Sequence, residues 1–442
     1  MRASDPPDPL AQLLVGTYPD PESGAPLAAA AHAVVIADSL ADREVELVAA
    51  LAAGPHVAVV ADDDTWAALG ARVARALAAR FAVQPIVLGR APHADAETVA
   101  RLTAALDPRT ELVIAVGSGT LNDLCKMAAL GRGCPQAVFA TAPSMNGYTS
   151  LSASITEAGV KRSIRAATPV GAFFDLGVIA RAPARLIRAG LGDSVCRPTA
   201  QVDWLLAHRL LDLPYRRAPF ALLAGDEERL FAEAGGLVAG DLGVMRCLVR
   251  TLVLSGFGMT LCGGSYPASQ GEHLISHYVE MMKPAGVPEA LHGEQIGVCA
   301  LAIARLQDRL LAEDSPPIVA PTAIDHGDVI RHFGAERGEL CWLELAAKRL
   351  DRAAADALNA RLAAGWDAIR GELAGVSLGA AAMARVLTAA GAPTTADELG
   401  WPRALFTDAI VHAREIRNRY TCLDFAGDLV RPALALADFA GA

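Results

Sequence analysis

The sequence predicts an α/β half followed by an all-helical half, and three observations carry that prediction. Short β-branched runs alternate with helical segments before residue 180, helical periodicity runs almost unbroken after it, and a glycine-rich turn joins a strand to a helix inside the first half. The expected organisation is an N-terminal α/β domain with a parallel sheet over residues 1–180, then an all-α domain over 181–442. A chain of 442 residues exceeds what one core usually serves, about 250 to 300 residues, so two domains are expected. Hydrophobic residues at 53% against 20% charged describe a globular chain with a large core. A net charge of −10 lacks the basic face that a nucleic-acid partner needs.

Taken in order, the strand-like runs are HVAVVAD at 56–62, PIVLG at 85–89, ELVIAVG at 111–117 and QAVFATA at 136–142. Each is short, apolar and followed by a segment with helical spacing, the pattern of βαβ units. From Arg185 through Leu211, and on to the alanine-rich stretch Asp351 to Leu373, good helix formers dominate. Two stretches without charge, Gly133 to Thr156 and Thr251 to Gly271, are interrupted by Pro, Ser, Asn, Gln and Gly, so neither reads as a membrane span. The eight cysteines show no CxxC pairing, which fits a reducing, cytoplasmic setting. The opening MRASDPPDPL carries acids and prolines where a secretory signal would have a basic start and an apolar core.

The glycine-rich turn lies in ELVIAVGSGTLNDLCK, where Gly117, Ser118 and Gly119 separate the strand from the helix. Backbone can approach a ligand closely at glycine, and the N–H groups of a helix start favour phosphate. The turn is not the GxGxxG fingerprint, and an ordinary turn is the competing reading. Asp62 and Asp63 end an earlier strand, where a carboxylate can accept hydrogen bonds from an adenosine ribose; helix capping by Asp64 is the alternative there.

In the second half, SQGEHLISHYVEM sets His273 and His277 four apart on one helix face, and LHGEQIGV brings His292 after a turn at Lys283 to Gly286. Together with Asp193 of GLGDSVCRPTAQVDW they suggest a metal site. Asp193, His273 and His292 can supply the three protein ligands of an open catalytic site, although histidines four apart also occur as plain structural pairs. Zinc suits such a set first, and Fe(II) or nickel is compatible with it.

These segments, with ATAPSMNGYTSLSASI at 140–155, SGFGMTLCGGSYPASQ and AREIRNRYTCLDF, resemble the glycerol-1-phosphate dehydrogenase family, within the metal-dependent alcohol dehydrogenase and dehydroquinate synthase-like group. The resemblance spans roughly residues 57 to 425 and implies that the first, α/β domain binds a dinucleotide and the second, all-α domain binds a metal and the substrate (a dehydroquinate synthase-like fold). It implies a metal-dependent oxidoreductase that uses NAD or NADP to interconvert a glycerol phosphate, or a related polyol phosphate, and its ketone. It also implies roles residue by residue. Asp193, His273 and His292 would hold the metal, with Asp193 and His277 also meeting substrate as the catalytic pair. Gly117, Ser118, Gly119 and Asp123 would surround the pyrophosphate, and Thr141, Ser144 and Ser150 would line the cofactor's far side. Local turn capping is the competing reading for those three hydroxyls.

Two departures matter. The family usually carries an aspartate in the phrase where this chain has Asn146, which keeps the size and loses the charge, so a shifted substrate or an altered polarity of binding is expected. The family tends to a lysine where this chain has Arg197, which either meets a substrate phosphate or pairs with an acid such as Asp193. Lys161, Arg417 and Arg419 read as solvated or paired charges, and His326 and His332 as ordinary loop histidines within a segment, 316–336, that no motif explains. Neither the first 50 residues nor that segment is covered, and a homo-oligomer is expected from the alanine-rich helical faces. Two other functions remain open at this level. One is a dehydroquinate synthase-like lyase or cyclase using the same metal and NAD, the other a binding protein that kept the fold.

Overall fold

The structure is a computed structural model that describes residues 8–51, 54–157, 160–430 and 436–440. Six parallel strands form the main sheet: β1 (Ala33–Ala37), β2 (His56–Ala61), β3 (Ala82–Val87), β4 (Leu112–Gly117), β5 (Gln136–Ala140) and β6 (Gly171–Asp175), in the order β1-β6-β5-β4-β2-β3. Every neighbouring pair is parallel, with Val57 opposite Leu112 and Gly117 opposite Ala140. The α/β prediction holds, and so does the parallel sheet. Four of the six strands lie where the β-branched runs put them. The outer β1 and the inner β6 were not anticipated, although VVI and AFF are strand-forming runs. An antiparallel hairpin, Ser152–Glu157 with Val160–Arg165, follows the 143–151 loop. Lys161 lies in this hairpin, and its side chain falls outside the described residues.

Contacts divide the chain into two compact units, Met1–Ser194 with Arg217–Gly264, and Val195–Arg216 with Ser265–Ala442. In the first unit, Val57, Val59, Ile114, Val116, Phe139 and Phe173 alternate with helix residues Val73 and Leu77 in a dry core. The change of texture near 180 follows the last sheet strand, yet the first unit extends beyond it. The helix α1 (Gly119–Arg132) covers the sheet, α2 (Ala184–Val195) carries the chain to the unit's edge, and α3 (Arg197–Leu211) belongs to the second unit. The chain then returns through α4 (Leu242–Leu261) to the first unit. The Arg246 guanidinium on α4 donates to the Ile36 carbonyl at 2.9 Å, and the Thr149 hydroxyl donates to the Val253 carbonyl at 2.7 Å. Helix α4 is long and apolar enough to cross a membrane, but 72% of its apolar window is buried within the fold, as a core helix requires.

Among the described residues, the second unit is built from helices, as the all-α expectation has it, with one isolated β-bridge between Val319 and Leu429. Its core joins α3, α5 (Gly271–Met282) and α6 (His292–Leu311) through Val202, Leu206, Ile275, Val279, Val298 and Ile303. The Ser276 hydroxyl donates to Gln295 at 2.8 Å, which fixes α5 against α6 in register. Segment 316–336 contains a further helix, His326–Phe333, capped by Asp325. His332 is therefore not a loop residue: its Nε2 lies 2.7 Å from the Tyr278 hydroxyl, and its ring stacks on His412 at 3.7 Å. His326 sits at the start of the same helix, half exposed and 3.1 Å from Glu339.

Candidate active site

In the first unit, the sheet order reverses between β2 and β4, because β3 is added on one side of β2 and β4 to β6 on the other. Parallel sheets bind ligands outside the carboxyl ends of the strands at such a reversal. Asp62 follows β2 and Gly117 closes β4, so two predicted cofactor residues stand at that place. Gly117 and Gly119 lead into α1, and Ser118 at the helix start makes no side-chain capping bond, so the first-turn N–H groups are not closed off by it. A Cβ on Gly119 would come within 3.0 Å of Met145, and one on Gly117 would overlap Leu121. The turn is thus tight enough to need glycine and presents backbone donors, which fits a pyrophosphate.

The other predicted cofactor residues fall into two groups. Thr141 continues β5, and its N–H donates to the Gly117 carbonyl at 3.1 Å, so it adjoins the glycine turn. Ser144 opens the loop that packs Met145 against Gly119. Ser150 is buried, and its hydroxyl lies within 3.2 Å of the Gly147 and Ser152 carbonyls. Asp123 accepts the Ser154 N–H at 2.9 Å, which ties α1 to the hairpin. The Asp62 carboxylate accepts the Thr65 N–H at 2.7 Å in a reciprocal capping box, so capping falls to Asp62 rather than to Asp64, which instead faces Arg90.

Sequence reading missed what holds the loop. Lys126 is buried on α1, and its ammonium donates to the carbonyls of Gly147 (2.7 Å), Ser150 (2.9 Å) and Ser152 (3.0 Å). Burial pushes its pKa down to about 8, with the Asp123 carboxylate opposing that shift. The Tyr148 hydroxyl, also buried, donates to Ala142 at 2.6 Å and closes the same turn. At the other end of the loop the Asn146 N–H donates to Asp193 at 2.7 Å, while its side-chain amide approaches the Ser255 hydroxyl at 3.4 Å. Helix α2 comes so near that a Cβ on Gly190 would collide with the Pro143 carbonyl. Asp193 and Asn146, both predicted to meet substrate, are therefore neighbours.

In the second unit, His273 and His277 project from α5 and His292 opens α6. Ring centroids are 5.2 Å apart for His273 and His292, 5.9 Å for His273 and His277, and 6.5 Å for His277 and His292. Glu272, fully buried, was not anticipated as part of this cluster; its Oε1 lies 2.9 Å from His273 Nδ1 and accepts the Gln270 N–H at 2.7 Å. A carboxylate on Nδ1 favours the proton on that nitrogen, so Nε2 would be the nitrogen offered to a metal. Burial pushes Glu272 up to about 7, against the lowering effect of nearby N–H groups and Arg419. Cys196 joins this group, its sulfur lying with the Glu272 and His273 donor atoms inside a 4.8 Å span. His277 is held well below its usual range, by burial first and then by His273, so it is a neutral imidazole at physiological pH. A group of imidazoles with an orienting carboxylate suits a borderline divalent metal such as zinc.

Comparison with known proteins gives the family and the fold. A family model described as iron-containing alcohol dehydrogenase matches residues 35–183. A glycerol-1-phosphate dehydrogenase [NAD(P)+] of Bacillus velezensis is 29% identical over 375 residues, covering 83% of this chain and 84% of that protein. Its counterpart in Pyrococcus furiosus is 33% identical over 294 residues, covering 65% of this chain and 83% of that protein. Among solved structures, glycerol dehydrogenase from Schizosaccharomyces pombe superposes with a TM-score of 0.60 at 16% identity, over 93% of this chain and 88% of that one. Maleylacetate reductase from Agrobacterium tumefaciens gives 0.61 at 17%, over 94% and 96%. At such identities the structural likeness shows the fold alone.

Proposed function

Because the chain belongs to the glycerol-1-phosphate dehydrogenase family, we propose that it interconverts sn-glycerol 1-phosphate, or a closely related polyol phosphate, and the corresponding ketone, dihydroxyacetone phosphate, with NAD or NADP. The observation that carries the proposal is the histidine cluster, in which Glu272 lies on His273 beside His292 and His277. Asp193, His273 and His292 are the proposed metal ligands, with zinc preferred and Fe(II) or nickel as alternatives. The backbone N–H groups at Gly117 to Gly119 are the proposed pyrophosphate seat, with Thr141 and Ser144 beside it.

When bound, the nicotinamide exchanges a hydride with the substrate carbon and the metal polarises its oxygen. The chain's own residues do the rest. Glu272 holds His273 in one tautomer. His277, kept neutral by burial, can accept or return a proton at the substrate hydroxyl without first losing one to water. Asn146 holds the Asp193 carboxylate through its backbone N–H and offers its amide to the substrate side.

The relatives' dehydrogenase names favour oxidoreduction over a lyase or cyclase reaction. A small-molecule substrate follows, and a homo-oligomer in the cytoplasm is the proposed setting. The test is oxidation of NADH and NADPH with dihydroxyacetone phosphate, with and without added zinc, beside His273→Ala. Metal-dependent oxidation that is absent from the variant is the expected result. No oxidation with that ketone by the metal-loaded wild type would overturn the proposal.

A further inference from the structure

We propose that Arg417 receives the phosphoryl end of the substrate and so sets the preference of the site for a phosphorylated polyol over an unmodified one. The inference rests on the dehydrogenase reading above and adds a residue to it. Arg417 lies in the loop Ile416–Tyr420, between a 3-10 turn at Ala413–Glu415 and the helix Cys422–Gly427. That loop is pinned on every side. The Asn418 N–H donates to Glu344 at 2.6 Å, and the Lys348 ammonium donates to the Arg419 carbonyl at 2.6 Å. The Arg419 guanidinium donates to Ser265 at 2.9 Å and to the Ser269 carbonyl, just ahead of α5, and it covers the Tyr266 ring at 4.7 Å.

The neighbouring cations are committed. Arg414 pairs with Asp428 at 2.8 Å, Lys348 with Asp424 at 2.7 Å, and Arg197 is buried and engaged. Arg417 differs. Among the described residues its guanidinium makes no hydrogen bond and has no carboxylate within ion-pair distance, although it is partly withdrawn from solvent. Glu344, which also faces this loop, has its carboxylate engaged by the Asn418 N–H.

A partly desolvated guanidinium without a counter-charge is costly, and it stays protonated. The turn Ala413–Glu415, just ahead of it, packs against α5, the helix that carries His277, the histidine proposed for the substrate side. A three-carbon substrate is short, so a phosphate attached to it stays close to an imidazole that meets its hydroxyl. The planar fork of arginine matches two phosphate oxygens and would recover the missing counter-charge when substrate arrives. The rigid loop, fixed through its own backbone, presents the fork in one place before binding.

Arg417→Gln in the metal-loaded enzyme tests this. The ratio of kcat/KM for dihydroxyacetone phosphate to that for dihydroxyacetone should fall about a hundredfold, as expected for losing a charge-assisted bidentate contact. Inorganic phosphate, competing with dihydroxyacetone phosphate in the wild type, should inhibit the variant at least about tenfold more weakly. A variant with the wild-type ratio and the wild-type phosphate inhibition overturns the assignment. If Arg417→Gln does not fold, Arg417→Lys decides, since a point charge replaces the fork and unchanged phosphate inhibition would overturn it equally. A wild type inert toward the ketone defeats the dehydrogenase reading, whereas calorimetric phosphate binding lost in the variant would still place the anion at Arg417.

Discussion

At the scale of single residues, the site depends on a few side chains whose partners decide their chemistry. His273→Ala should abolish metal-dependent turnover, by at least about a thousandfold, because an imidazole donor would be lost from the proposed three-ligand set. Glu272→Gln is a subtler test of the same group. It should weaken metal retention about 10- to 100-fold in competition with a chelator, since the carboxylate that sets the His273 tautomer is removed while the ligand remains. Asn146→Asp addresses the departure from the family pattern. If the amide shifts substrate preference, the aspartate variant should turn over glycerol 1-phosphate faster, and an unchanged rate would count against that idea. Some of this was readable from sequence and some was not. Helical spacing revealed that His273 and His277 share a face, whereas the division of roles among Asp193, His273, His292 and His277 came from the resemblance. Glu272 was invisible, because an acid at a helix start ordinarily reads as a cap or a solvated charge. Arg417 was read as a solvated or paired charge, since sequence does not record which neighbouring acids are already occupied.

At the scale of elements, close approach is what places the residues. Helix α2 can reach the Pro143 carbonyl only because position 190 lacks a side chain. Gly190→Ala should destabilise the protein by about 1–3 kcal/mol, measured by denaturant melting, and should lower activity by moving Asp193 off the Asn146 N–H. The 146–152 loop depends on Lys126. Its folded pKa of about 8 lies below the ordinary 10.5, so between those values the folded protein holds fewer protons than the unfolded chain. Stability should therefore rise with pH across that window and level off above it. Lys126→Met should remove that part of the pH slope, which the difference between variant and wild-type unfolding curves measures. Nothing in GTLNDLCK distinguishes such a lysine from one at the surface, because its three acceptors come from a loop twenty or more residues later.

At the scale of the whole molecule, the fold class and most of the sheet were legible in sequence texture, whereas the compact units do not divide where the texture changes, for a physical reason. Composition changes where strands end, near 180, while packing follows apolar faces, and that of α4 belongs with the sheet unit. Cofactor and metal each bind folded chain only, so each should raise the unfolding midpoint separately, by about 2.7 kcal/mol of added stability at a hundredfold excess over Kd. A midpoint insensitive to NADH, NADPH and zinc alike would contradict the proposed function.

The excursion of residues 195–216 into the second unit also bears on biosynthesis. As the chain leaves the ribosome, α3, with Val202, Leu205, Leu206 and Leu210, emerges before α5, α6 and the helix Arg352–Ala374, which pack against it. Until translation passes residue 374, that apolar stripe lacks its full cognate surface, so the nascent protein carries an adhesive segment flanked by chain that is already able to fold. Slow elongation through this interval would therefore lengthen the exposure to aggregation or chaperone capture, even though the finished enzyme buries the stripe completely.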